Sequence, residues 1–156
     1  MSGWTDPDRW RKLCTGAECP ICLEGKPRGV IAELEASHLT TKPDQPIYGY
    51  CCLVLKRHAI ELHELEEPEA VSFMRDMRRV NYALQSVTGA VKVNLEVHGN
   101  TIPHLHVHFY PRYVGDRFDG RPIDPSESAI VLDPEELGGF GAELRTALRE
   151  EVRSLR

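Results

Sequence analysis

Residues 104–110 read HLHVHFY, three imidazoles at alternate positions with Leu105, Val107 and Phe109 interleaved. Side chains of a β-strand point alternately to its two faces, so His104, His106 and His108 share one face at spacings of roughly 7 Å while the apolar set faces a core. One such histidine would read as a solvated strand residue. Three in register need another use for that face, and imidazole chemistry supplies it. A neutral ring is a nucleophile near pH 7, and a protonated ring donates to a departing oxygen or to phosphate charge. The chain holds neither a G-x-S-x-G elbow nor a G-x-x-x-x-G-K phosphate loop, so these histidines are its strongest chemistry.

Outward from this stretch the pattern is that of a small mixed domain. Upstream, AVKVNLEVH (90–98) alternates Val91, Val93, Leu95 and Val97 against Lys92, Asn94, Glu96 and His98, and GNTIP follows as a turn, which predicts two neighbouring antiparallel strands with adjoining polar faces. YGYCCLVLK (48–56) is apolar on both faces, as a central strand requires. GVIAELEAS (29–37) alternates as a half-exposed strand, and TTKPDQP (40–46) reads as a loop. From Pro68 to Thr88 the residues Ala70, Phe73, Met74, Met77, Val80, Leu84 and Val87 recur at three- and four-residue steps until Gly89, marking the main helix. A short helix is expected after Thr5 or Asp6, with Pro7 inside its first turn, Trp10 and Leu13 on one face and Gly16 as its stop.

Beyond YPRYVGD (110–116) the composition shifts to Gly, Asp, Pro and Ser, which reads as a surface excursion with little core of its own. AIVL (129–132) and an amphipathic helix from about Ala142, with Leu144, Leu148, Val152 and Leu155 on one face, complete the chain. The expectation is one α+β domain over residues 1–156, with its core at about 19–116, a surface loop at 117–128 and a C-terminal strand and helix at 129–156.

Length and charge bound the partners. A chain of 156 residues suits one buried core. Nineteen basic against 24 acidic residues give a net charge of −5, which argues against a long nucleic acid as partner; a small anionic ligand held by imidazoles and backbone N–H groups stays compatible with it. The N-terminus lacks an apolar stretch of signal-peptide length, and the longest aliphatic run, Cys51 to Leu55, is too short to span a bilayer, so a cytoplasmic protein without membrane association is expected.

Five cysteines fit a reducing compartment better than a disulfide framework. Cys19-Pro20-Ile21-Cys22 has the spacing of a zinc knuckle, in which two thiolates need a distant pair of ligands to close the site. A redox pair or two plain thiols are the other readings of the same spacing. His38 and His63 read as surface residues, Cys51 and Cys52 as strand core, and Arg112 and Lys56 either as attractors of phosphate or as solvated strand ends.

The stretch HLHVHFY resembles the signature of the histidine triad (HIT) family. The resemblance extends from about Cys19 to Asp116: the CPIC knuckle, LVLKRH (53–58), the long helix, NLEVHGNTIPHLHVH (94–108), and YPRYVGD, which is similar to the continuation in dinucleoside-polyphosphate hydrolases of that family. It implies a HIT-like fold, an antiparallel sheet of about five strands with a long central helix and a C-terminal helix, working as a homodimer. It also implies that His106 attacks the α-phosphate of a nucleotide conjugate and forms a nucleotidyl-histidine that water cleaves. His108 would contact the phosphate and assist the leaving group, and the carbonyl of His104 would orient the nucleophile.

Asn94 and Asn100 fall where the family places side chains around the phosphates, and His98 adjoins them. Zinc-bearing relatives, galactose-1-phosphate uridylyltransferase among them, complete the knuckle with residues matched here by His58 and His104, so Cys19, Cys22, His58 and His104 would hold one structural zinc. The sequence departs from several phosphoramidase members at Tyr50, where they carry a histidine. Alternatives to a hydrolase acting on dinucleoside polyphosphate-like conjugates are a nucleotidyl transferase, a nucleoside phosphoramidase, or a nucleotide-binding module without turnover.

Overall fold

The computed structural model describes residues 3–127 and 130–154, with side-chain detail over 4–127 and 130–150. The expected Ala129 of the last strand and Leu155 of the last helix lie outside the described residues, as does the side chain of Val152. Helix α1 (Pro7–Cys14) begins where Pro7 predicts, with the Asp6 carboxylate accepting from the backbone N–H groups of Asp8 and Arg9. A one-turn helix α2 (Pro20–Glu24) carries the second half of the knuckle. Strands β1 (Val30–Glu33), β2 (Ser37–Thr40), β3 (Asp44–Gln45) and β4 (Cys51–Leu55) follow. The long helix α3 (Glu67–Thr88) ends at Gly89 in the left-handed conformation, and strands β5 (Lys92–Val97), β6 (His106–Arg112) and β7 (Ile130–Val131) precede helix α4 (Pro134–Ser154).

Five strands form an antiparallel sheet in the order β1-β2-β4-β6-β5, and β3 pairs with β7 in a separate two-stranded ribbon. The fully buried β4 is central, as its apolar run requires. One face of the sheet carries Leu39, Leu53, Leu55, Val107 and Phe109, packed beneath Phe73, Val80 and Leu84 of α3 and Phe140, Leu144 and Leu148 of α4. A fully buried side chain of this size contributes about 1.5–3 kcal/mol, so this layer dominates the stability.

The opposite face has a second apolar cluster of Tyr50, Cys52, Val54 and Tyr110, closed by Phe118 and Ile123. The segment after Asp116 therefore supplies core as well as surface, contrary to its polar composition. Asp116 sets that segment: its carboxylate takes Arg112 Nε at 2.8 Å and Nη2 at 2.9 Å, and the N–H groups of Tyr113 at 3.1 Å and Phe118 at 2.8 Å. The Arg112 bond is the main cause that holds its carboxyl down at about 2. Gly115, at φ +75°, supplies the left-handed step of the turn.

Three local expectations differ from the structure. GVIAELEAS forms two strands with a turn between them, because Asp76 of α3 reaches the turn and accepts from Ser37 Oγ at 2.6 Å and Ala36 N–H at 2.9 Å. A buried carboxylate saturated in this way stabilises a bend that alternation alone does not reveal. TTKPDQP contains the short β3, tied to β7. Helix α4 starts at Pro134 rather than near Ala142: Asp133 Oδ1 accepts from the N–H groups of Glu135 and Glu136, and Glu136 Oε2 accepts from Asp133 N–H. That reciprocal cap overrides the helix-weakening Gly138, Gly139 and Gly141. Gly141 has a packing reason as well, since a Cβ there would lie 3.3 Å from Ile31 Cγ2. No helix among the described residues is long and apolar enough to cross a membrane.

Candidate functional site

The register of the sheet decides which side chains meet. His106 lies opposite Val54 and His108 opposite Cys52 on β4, while on the other side Glu96 of β5 faces His108 and Asn94 faces Tyr110. The polar face of β6 therefore looks toward the same side as the second apolar cluster. Loop 98–102, Glu96, and Pro122, Ile123 and Pro125 complete a cavity of about 520 Å³ that includes His106 and His108. His98 and Asn100 line it too. Asn94 lies one step further along the sheet, in an adjoining hollow with Lys92, Glu96 and Arg112, so it is not brought together with the two cavity histidines.

Within the cavity His106 Nδ1–H donates to the His104 carbonyl at 2.6 Å. A carbonyl only accepts, so the proton resides on Nδ1 and the lone pair of Nε2 is left for a ligand. Burial lowers the pKa of His106, opposed by that backbone bond and assisted by the neighbouring His98. Burial together with His106, His98 and Lys42 lowers His108 to about 3. Both rings are thus neutral near pH 7, the state in which imidazole attacks an electrophile. The His106 and His108 rings meet edge to face with centroids 4.8 Å apart, and His98 lies 5.4 Å from His108 while Glu96 Oε2 holds its Nε2 at 3.0 Å.

His104 leaves the row. It is buried and its ring turns to Cys19, Cys22 and His58, whose ligand atoms with its own all lie within 4.8 Å of one another. Its Nδ1 is 3.5 Å from Cys19 Sγ, 3.7 Å from Cys22 Sγ and 3.2 Å from His58 Nδ1, which is 3.3 Å from Cys22 Sγ. Zn–N distances of about 2.0–2.1 Å and Zn–S of about 2.3 Å give tetrahedral edges of about 3.3–3.8 Å, so the four donors fit such an ion. Both imidazoles are anchored through their far nitrogens, His58 Nε2–H to the Cys14 carbonyl at 2.9 Å and His104 Nε2–H to the Leu55 carbonyl at 2.8 Å. That fixes the tautomer that aims Nδ1 inward. Burial and the adjacent Cys19 thiol push Cys22 up to about 11, a state that a bound cation would reverse by favouring thiolates.

Other candidates resolve by their partners. Lys56 pairs with Glu33 at 2.9 Å, and Arg112 is committed to Asp116, so neither is a free phosphate attractor. Cys51 and Cys52 are buried strand residues. His38 is half-buried rather than superficial, with its Nδ1 enclosed. The sequence reading noted Tyr50 as a departure from phosphoramidase members but gave it no contact with the histidines, whereas its hydroxyl meets His108 Nδ1 at 2.8 Å; it missed the wall built by Pro122, Ile123 and Pro125. The signals for Tyr50 were that match to a histidine position and its two-residue phase with Cys52 and Val54; nothing local announced the wall.

Comparison with known proteins matches residues 26–115 to the model of the HIT domain. A histidine triad protein of Bradyrhizobium japonicum superposes with a TM-score of 0.70 at 30% identity, over 76% of this chain and 89% of that one. One of Sinorhizobium meliloti gives 0.70 at 27%, over 76% and 87%. A zinc-bound histidine triad family protein of Mycobacterium smegmatis shares the fold, with a TM-score of 0.62 at 24% identity over 87% and 94%. Among curated proteins, the asymmetrical bis(5'-nucleosyl)-tetraphosphatase of Schizosaccharomyces pombe is 28% identical over 89 residues, 54% of this chain. The chain spans about half the length of that relative, 48%.

Proposed function

Because the chain belongs to the HIT domain family, we propose that it is a nucleotide hydrolase that cuts at the α-phosphate of a nucleotide conjugate, with dinucleoside polyphosphates as the first substrate class. The observation that carries this reading is the 2.6 Å contact of His106 Nδ1–H with the His104 carbonyl, which leaves Nε2 as a lone-pair nucleophile beside a cavity wide enough for a ligand. In the first step His106 Nε2 forms a bond to the α-phosphorus and the bond to the leaving oxygen breaks. In the second, water attacks the same phosphorus and the imidazole leaves. His108 stands next on the strand to donate to phosphate or leaving oxygen. Asn100 and His98 stand at the rim, where an amide and an imidazole donate to phosphate oxygens without requiring a fixed charge. Asn94 serves in the adjoining hollow, toward the far end of an extended conjugate. The family relationship to a dinucleoside tetraphosphatase supports the hydrolase class.

Zinc held by Cys19, Cys22, His58 and His104 is part of the same proposal, supported by the fit of the donor distances and by a zinc-bound relative of the same fold. It resembles the knuckle of galactose-1-phosphate uridylyltransferase in ligand order, and four protein ligands leave no position for substrate, so its role is structural. A homodimer through α3 and β5 is favoured by the exposed Met74, Tyr82, Val91, Leu95 and Val97 on that side. Residues 1–156 are read as one HIT-like unit in a reducing, cytoplasmic setting that suits its free thiols.

Trapping tests the reading. Substrate labelled with ³²P at the α-phosphate should leave acid-labile, base-stable label on the protein, and none on His106→Ala. Equal labelling of both proteins overturns the nucleophile, and hydrolysis releasing only unlabelled phosphate overturns the position of cleavage.

A further inference from the structure

Tyr50 stands where the strand alternation places it, beside Cys52 on the histidine side of the sheet, and only 8% of it is exposed. Its hydroxyl is 2.8 Å from His108 Nδ1, its ring stacks on that of His108 at 5.9 Å and 25°, and Lys42 Nζ sits 5.3 Å from the tyrosine ring centroid. The direction of this hydrogen bond fixes which nitrogen of His108 carries the proton. Two arrangements exist: phenol O–H donating to Nδ1, or Nδ1–H donating to the phenol oxygen.

Among the described residues the hydroxyl makes no other hydrogen bond, and the side chain that shares its strand face two residues on is the Cys52 thiol. If Nδ1–H were the donor, the phenol proton would be left with no better acceptor than that sulfur, a weak one. If the phenol donates, it meets an unprotonated imidazole nitrogen, a far better acceptor. Burial keeps the phenol protonated and the imidazole neutral. The first arrangement is therefore the stable one.

We infer that Tyr50 is a positioning residue, whose hydroxyl donates to His108 Nδ1 and so holds His108 with its proton on Nε2, directed at the phosphate or leaving oxygen in the cavity. This rests on the hydrolase reading for its consequence, not for its geometry. His106 and His108, two residues apart on one strand, are then locked in opposite tautomers. The first has its proton on Nδ1, given to the His104 carbonyl, and a lone pair on Nε2. The second has a lone pair on Nδ1, given to Tyr50, and its proton on Nε2. A nucleophile and a donor are obtained from identical side chains by what each finds behind it. No proton need be taken up from solvent for His108 to donate a hydrogen bond, so His108 serves at neutral pH although its own basicity is low.

The tautomer is read directly by ¹⁵N–¹H correlation spectra of histidine-labelled protein at neutral pH, with assignment by loss of the His108 pattern in His108→Gln. In the wild type, His108 should show a protonated, pyrrole-type Nε2 and a bare, pyridine-type Nδ1. In Tyr50→Phe, which keeps the ring in the stack, that pattern should collapse to an exchanging mixture while His106 keeps its own, and kcat should fall roughly tenfold with KM within about twofold. A wild-type His108 protonated on Nδ1, or a Tyr50→Phe protein with the tautomer unchanged, overturns the inference. The spectrum does not depend on turnover, so a wild type that cleaves no nucleotide conjugate defeats the hydrolase reading while the tautomer still judges Tyr50.

Discussion

Two neighbouring parts of this molecule use the same residue in opposite ways. In the Cys–His cluster, His58 and His104 give Nε2–H to backbone carbonyls and present Nδ1 to the thiols. In the cavity two residues of chain away, His106 gives Nδ1–H to a carbonyl and presents Nε2 to open space. An imidazole has one proton to spend when neutral, and the acceptor behind the ring decides where it goes. The cluster is closed, with two thiols, two imidazoles and no vacant direction, whereas the cavity is open and walled by prolines and a loop. His104 joins the two, since its ring belongs to the cluster while its carbonyl orients the ring in the cavity.

The sharpest break of this pairing is His106→Ala. It should lower kcat at least about 10⁴-fold, because a lost nucleophile is not replaced by its neighbours, yet leave about one metal ion per chain by elemental analysis. Loss of the metal together with activity would show that cavity and cluster are not separable. Next comes Cys22→Ser, which touches no substrate: metal content should fall to near zero, the melting temperature by about 10 °C, and kcat by roughly tenfold as the His104 carbonyl loosens. Full activity in a metal-free Cys22→Ser protein would sever the link through His104.

Smaller effects sharpen the cavity itself. Asn100→Ala should reduce kcat/KM by about tenfold, the worth of one amide donor to a charged phosphate, and Asn94→Ala by less, as it lines the adjoining hollow. Steady-state kinetics with one substrate ranks the two, and the reverse order would move the phosphates into the hollow lined by Asn94 and Lys92. The smallest signal lies in pH. His108 is lowered from its ordinary 6.5 to about 3 by burial first, so acid protonates it in the unfolded chain before the folded one. Its contribution to stability is complete above about 6.5 and is lost as pH falls toward about 3. Urea midpoints at pH 7 and pH 5 should therefore drop further in wild type than in His108→Gln; equal drops would show that His108 is already protonated in the fold.

Much of this was legible in the residues. The histidine alternation, the buried run of β4 and the three- and four-residue steps of α3 each follow from periodicity, and α3 ends at the expected glycine. The turn between β1 and β2 was not legible, because Asp76 reaches it from 39 positions beyond Ser37 in sequence. The start of α4 is legible in Asp133-Pro134-Glu135-Glu136, whereas the packing of Gly141 against Ile31 of β1 is something no local rule displays. The resemblance pointed to His58 and His104 as partners of the knuckle, and the fold brings all four ligand atoms together.

By itself the sequence determined the faces: which residues of each strand look the same way, and hence that imidazoles would stand in a row with a core behind them. Only the tertiary structure decided what each imidazole does. His104, His106 and His108 are equivalent by period, and become unlike because the Leu55 carbonyl takes the Nε2–H of His104, the His104 carbonyl takes the Nδ1–H of His106, and the Tyr50 hydroxyl meets Nδ1 of His108. Alternation is a property of one backbone, while a tautomer is set by a partner that the chain brings from elsewhere.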